Sequence, residues 1–281
     1  MITRSTKKIF LQFHHPIGNL FHYGHFIVDA ILPFSLFYKH HLTSIPSPTE
    51  LILPQNLSQQ LGEFKEMFHK MFGLVVGVTY YPMERLEAEA RALKQPVHDI
   101  DGYCFGPFPE DVFVEIDRLV KERMIVSTLL PNLEQNVVLC IDRGFKPIQL
   151  PKEYERKHNI HNTGSKRRRL LNHGELREIL RQFAEQQNLE FQNVQLEFLP
   201  WEEQIRLFQR ARVIFGQHGA GMCNIAFCVS NSKTVVIECS NWGPNTIQHL
   251  AMARNLSYFR AESTISHCNP QSLRNILQTL S

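Results

Sequence analysis

Short apolar runs alternate along this chain with longer stretches whose apolar residues recur every third and fourth position, the spacing of one helix face. Residues 9–13 read as a strand, and a helix is expected around 25–40. Residues 49–54 read as a buried strand, 57–71 as a helix, 74–81 as a further strand and 83–94 as a charged helix. Pro107 and Pro109 break the chain, and 111–130 then has the spacing of a long helix. Residues 131–135 are the candidate linker, which predicts domains at 1–134 and 135–281. Beyond it the units are regular. Strands are expected at 137–142, 190–198, 213–216, 234–239 and 256–260, with helices at 174–187, 201–210, 222–228 and 246–255. A closing helix at 271–280 is expected to pack back on the first domain. Strands alternating with helices predict an α/β fold with parallel, doubly wound sheets. Ligands of such sheets lie beyond the carboxyl ends of the strands.

One of those ends carries the densest local signal. The apolar run Val213-Ile-Phe is followed by Gly216-Gln-His218-Gly219-Ala220-Gly221-Met222-Cys-Asn224. This reads as strand, glycine-rich turn and first helical turn. A helix start leaves backbone N–H groups without partners, and glycines let a ligand approach them closely, which suits a phosphate. His218 adds a donor at the rim, and Asn224 can hold the loop or touch the ligand. Packing alone also produces such turns, so the neighbouring residues decide.

Composition narrows the class of partner. The 281 residues are 43% hydrophobic and 20% charged, which is globular usage and argues against disorder. A net charge of +3 suits an anionic small ligand and gives little support to nucleic-acid binding. The six cysteines, Cys104, Cys140, Cys223, Cys228, Cys239 and Cys268, lack zinc spacing and read as reduced, mostly buried thiols. No signal peptide or bilayer-length apolar run is visible, which predicts a soluble, cytoplasmic protein with no membrane span.

Several charged groups then acquire candidate chemistry. Arg143 follows a strand, and Lys166-Arg167-Arg168-Arg169 precedes a helix. Near the glycine-rich turn these cations could hold a diphosphate; the run of four could equally be a solvated or nucleic-acid-facing loop. Glu238 ends an apolar strand and could accept from ribose hydroxyls or form a strand-end ion pair. His25 and Asp29 stand four residues apart on one helix face, as a base and its orienting carboxylate would, with His22 nearby. Asp99-Ile-Asp101 has the form of a metal-binding acidic pair but reads more simply as a turn before Gly102.

Arg143, Arg168-Arg169-Leu-Leu-Asn172, Gly174-Glu175-Leu176, Trp201-Glu-Glu-Gln204-Ile205, His218-Gly-Ala-Gly-Met-Cys-Asn224 and Val236-Ile-Glu238 occur in that order. Together they resemble glycosyltransferase family 61, which includes plant β-1,2-xylosyltransferase, xylan-decorating transferases and O-linked N-acetylglucosaminyltransferases. Gly24-His25-Phe26-x-x-Asp29 is similar to the family's N-terminal segment. The resemblance implies a GT-B architecture, two Rossmann-like domains facing a central cleft. It implies an inverting transfer from a UDP-sugar, with UDP-xylose the first candidate, to a glycan hydroxyl, without metal or other cofactor and without nucleic acid. Asp29 or His25 would be the base. Arg143, Arg168, Arg169, His218, Gly219, Ala220, Gly221, Met222, Asn224 and Glu238 would hold the donor. A metal-dependent GT-A transferase using Asp99 and Asp101 is the alternative, and a nucleic-acid binder using 166–169 is another. Most members are membrane-anchored and longer; the size suits an anchor-free viral β-xylosyltransferase.

Overall fold

The computed structural model describes residues 7–14, 23–42, 49–57, 64–72, 77–103, 106–124, 134–143, 170–241, 243–264 and 266–280. The chain divides into two compact units, Met1–Thr128 and Leu129–Ser281.

The first unit is built on four parallel strands, β1 (Lys7–His14), β2 (Thr49–Pro54), β3 (Gly77–Tyr81) and β4 (Val97–Asp101), in the order β3-β2-β1-β4. The helical segment after β1 is not one regular helix. It passes from α1 (Tyr23–Phe26) through a π-helical stretch (Ile27–Ile31) into α2 (Leu32–Phe37) and a second π stretch (Tyr38–Leu42). Then come α3 (Lys65–Phe72), α4 (Met83–Ala92) and α5 (Glu110–Leu119), which runs into a further π stretch (Val120–Met124). Pro82 and Pro109 stand immediately before α4 and α5, where a missing N–H is harmless.

Aromatic rings fill much of this unit. Phe34 meets Phe72 edge-on at 4.5 Å and Phe68 at 5.1 Å, while Phe26 stacks on Phe64 at 5.0 Å. Each fully buried Phe stabilises by roughly 1.5–3 kcal/mol. Phe10, Ile52, Tyr81, Leu86 and Ala90 form a separate cluster.

The second unit holds five parallel strands, β5 (Val137–Asp142), β6 (Glu190–Gln195), β7 (Ala211–Gln217), β8 (Val235–Cys239) and β9 (Ser257–Ala261), in the order β6-β5-β7-β8-β9. Its helices are α6 (His173–Gln186), α7 (Trp201–Arg210), α8 (Thr246–Ala253) and α9 (Pro270–Gln278). The core is aliphatic, with Val138, Leu176, Leu180, Val213 and Ile237 among its members. The closing helix packs Leu273 and Leu277 into this same core. Asn269 caps it by accepting from the N–H groups of Gln271 (2.9 Å) and Ser272 (3.4 Å), with Pro270 at the first helical position, a start worth about 1 kcal/mol.

Two expectations need correction. Asp99 and Asp101 do not form a turn; they lie in β4, the edge strand, on one exposed face with Ile100 buried between them. The glycine-rich turn enters a 3₁₀ helix, Ala220–Phe227, rather than an α-helix. The described cysteines form no disulfide with one another and are buried, and Cys104 lies outside the described residues. No helix among the described residues is long and apolar enough to cross a membrane.

Candidate active site

Each sheet reverses its winding at one place. In the first unit the chain leaves β1 for β2 and β3, then lays β4 on the other side of β1. In the second it leaves β5 for β6, then lays β7 on the other side of β5. The strand order of the second sheet is that of a flavodoxin-like doubly wound fold. Crevices for ligands open at the carboxyl ends of strands flanking such a switch point.

In the first unit this place holds His25 and Asp29. Their spacing on the helical segment brings His25 Nδ1 to 2.7 Å from Asp29 Oδ2. Asp29 is wholly buried, and the His25 side chain keeps about a fifth of its surface exposed. Asp29 lies in the π-helical stretch, a feature that often marks functional sites. Gly102 follows β4 and packs against the Asp29 carboxyl; a Cβ there would stand 2.7 Å from Oδ1. The Tyr103 N–H donates to the carbonyl of Val28 at 3.3 Å and ties the end of β4 to the same helix. Burial, helped by Asp111, pushes the Tyr103 phenol up to about 12. His22 lies outside the described residues.

In the second unit Arg143 follows β5 and the His218 turn follows β7. Arg143 Nη2 donates to the carbonyl of His218 at 2.6 Å. Gly219 is the residue its guanidinium covers: a Cβ on Gly219 would stand 1.5 Å from Nη2. The other glycines are also close-packed. A Cβ on Gly216 would strike Met222 Sδ at 2.5 Å, and one on Gly221 would strike Leu196 Cδ1 at 2.8 Å. Much of the glycine content therefore serves packing of the loop on its own protein.

The turn's polar groups divide in the same way. The Met222 N–H donates to Gly219 O at 3.0 Å, and its side chain is buried, so its backbone donor is already used. The N–H groups of Gly219, Ala220 and Gly221 have no such partner among the described residues. Asn224 is wholly buried and donates to Gly221 O (3.2 Å) and to Gln204 Oε1 (3.0 Å). Gln204 in turn donates to the carbonyls of Leu196 (2.9 Å) and Leu199 (3.0 Å). Asn224 thus braces the loop, one of the two roles the sequence left open.

Glu238 is wholly buried. Its Oε1 meets His218 Nδ1, and its Oε2 accepts from the Tyr258 hydroxyl. Both carboxylate oxygens are thus bonded inside the protein, the strand-end pairing that was the second of the two readings of Glu238. Tyr258 was not legible as a site residue, nor was Arg260, whose Nη2 stands 3.6 Å from Glu238 Oε2. Their period-two spacing on β9 was the available signal: Arg260 is in register with Glu238 itself. The expected ligands Arg168 and Arg169, with the rest of 166–169, lie outside the described residues.

A family model described as Glycosyltransferase 61 matches residues 23–237, about three quarters of the chain. The chain belongs to this family. The matched segment of this glycosyltransferase begins at the first residue of α1 and includes His25, Asp29, Arg143 and the whole His218 turn. It ends one residue before Glu238. A search of curated proteins gave no match. Among the described residues no three or more His, Cys, Asp or Glu side chains converge in a way that could hold a metal ion. Asp99 is bonded by Gln12 of the neighbouring strand.

Proposed function

We propose that this glycosyltransferase moves a sugar, with xylose the first candidate, from a UDP-sugar to a glycan hydroxyl with inversion at the anomeric carbon. The reading takes the two units as the two Rossmann-like domains of a GT-B enzyme. Two parallel sheets, each with its own switch point, support it. The observation that carries it is Arg143, held at the β5/β7 switch point over Gly219 and beside the N–H groups of Gly219, Ala220 and Gly221. That set of fixed donors suits a diphosphate, whose charge grows as the glycosidic bond breaks. His218 adds a further donor to the same rim.

In this reading His25 is the base. Nδ1 faces the buried Asp29 carboxylate, which holds the ring and stabilises the imidazolium that forms. Nε2 is then the nitrogen that takes the acceptor hydroxyl's proton as the oxygen attacks the anomeric carbon. Asp29 acts through His25, because its own carboxylate is out of reach of solvent.

The test is calorimetric binding of UDP in excess EDTA, repeated with manganese and on Arg143→Ala. Binding in EDTA that the substitution abolishes is the expected result. Binding only with manganese would move the diphosphate to a metal and revive Asp99 and Asp101. Absence of binding in both would sink the donor assignment.

A further inference from the structure

The polar cluster behind His218 reaches beyond the family-matched segment, onto a strand with no assigned part in the site. Glu238 is an ionisable group with no exposure, and an ionised buried carboxylate is tolerated only when both oxygens are bonded. Here one oxygen faces His218 Nδ1 and the other takes the Tyr258 hydroxyl. Arg260 completes the group. Its Nε donates to the Tyr258 oxygen at 3.1 Å, its Nη2 stands 3.6 Å from Glu238, and Nη2 also reaches Asn245 Oδ1 at 3.4 Å. Burial and the bond to Glu238 both hold the Tyr258 phenol well above its ordinary value, so it remains a donor.

The consequence falls on the imidazole. A carboxylate is an acceptor only, so Nδ1 must carry the proton. That leaves Nε2 as the nitrogen whose protonation is undecided by the brace. Nε2 faces Gly243, which has φ +119° and no side chain; a Cβ there would stand 3.1 Å away. The ring is therefore fixed from behind by Glu238. Its backbone is fixed by Arg143 on the carbonyl and by the His218 N–H donating to Cys239 O at 3.2 Å.

We propose that Tyr258 and Arg260 are positioning residues for the donor phosphates: through Glu238 they keep the His218 Nδ1–H on the carboxylate and orient the ring, so that Nε2, when it too carries a proton, donates to the diphosphate. The inference rests on the donor reading of the His218 turn, and it adds β9 to that site. Tyr258→Phe removes the hydroxyl and leaves one buried carboxylate oxygen without its donor. The Glu238 carboxylate is then able to turn, and the imidazole loses its fixed partner.

The experiment pairs two readouts on the full chain. The first is ¹⁵N NMR of the histidine rings, with His218→Gln to assign the His218 signals. The second is calorimetric binding of UDP. Wild type is expected to show Nδ1–H for His218, and Tyr258→Phe a mixture of ring forms with UDP affinity lowered by roughly tenfold, the scale of one hydrogen bond to a charged group. Arg260→Gln, at a partly exposed position, is the second variant and keeps the test alive if Tyr258→Phe does not fold; a loss of about threefold is expected, as for a half-screened charge. Unchanged ring signals in both variants would overturn the proposal. Altered ring signals with unchanged UDP affinity would overturn its link to the donor. A wild type that binds no UDP but shows the Nδ1–H form would sink the donor reading and leave the brace standing.

Discussion

The two units solve one local problem by different means. Each sets a histidine against a wholly buried carboxylate near the switch point of a parallel sheet. In the first, His25 and Asp29 belong to one helical segment, and the pair is made by a single turn of chain. In the second, His218 and Glu238 come from the ends of adjacent strands, with Tyr258 and Arg260 behind them. The His25 ring is the more exposed of the two, 20% against 11% for His218. A pair on one helix with an open ring suits proton transfer to a visiting acceptor. A pair spanning two strands and propped by a third suits a fixed donor. A histidine paired with a carboxylate thus suits different chemistry according to how firmly it is held.

The largest expected effect tests the helical pair. Asp29→Asn should lower turnover by about 10³–10⁴-fold, because the amide favours the wrong imidazole form, while UDP affinity stays near wild type. Equal loss of UDP binding would make Asp29 a structural residue. Arg143→Ala comes next. It should cost about a hundredfold in the rate of donor use, the usual effect of removing one fixed donor. A rate within a few-fold of wild type, measured under single-turnover conditions, would place the diphosphate elsewhere.

Glycine substitutions sharpen the contrast. Gly102→Ala forces a methyl against Asp29, and Gly219→Ala forces one into Arg143. Each should destabilise by roughly 1–3 kcal/mol, the cost of a strained or crowded site. Their functional effects should separate: the first should reduce turnover and spare UDP binding, and the second should weaken UDP binding. Identical kinetic profiles for the two would collapse the division of labour.

The smallest effect concerns pH. Burial depresses the proton affinity of His69 and His98, aided by Lys65 and His41 respectively, and both belong to the first unit. A histidine held below its ordinary value is protonated more readily when unfolded. Its contribution to stability is present above pH ~6.5 and is lost as pH falls through its lower folded value. The melting temperature should therefore fall on acidification from pH 7.5 to 5.5, and His98→Gln should blunt that fall by about a degree or two. An unaltered pH dependence in that variant would remove His98 from the account.

The sequence was most legible where local pattern and tertiary role coincide. The apolar run into Gly216 and the strand before Arg143 could be read because buried parallel strands are continuous apolar segments. The strand β4 is hard to read because its outer positions, 99 and 101, are aspartates, and an edge strand can face water. The π-helical turns around Asp29 are not legible because one turn of π-helix is too short to leave a period of its own in the sequence. The bonds of Glu238 to His218 and Tyr258 are not legible because depth of burial is not written in a strand end. Its partner Tyr258 stands twenty residues further on, in a segment whose chemistry looks ordinary until the strands are laid side by side.

The parallel pairing carries a further consequence, for synthesis. In the first sheet the interior strand β1 gains β4 only when Phe10 meets Val97, and in the second β5 gains β7 only when Val138 meets Val213. Neither of these interior strands can be completed by a hairpin, so both wait on distant chain and close slowly. Yet among the described residues no strand of one sheet is borrowed from the other, and all of β1–β4 precede β5. As the chain leaves the ribosome, the four described strands of the first sheet emerge before the five of the second. Refolding from denaturant loses that order and exposes both sets of apolar strands at once, so yield after dilution should lag behind yield from translation.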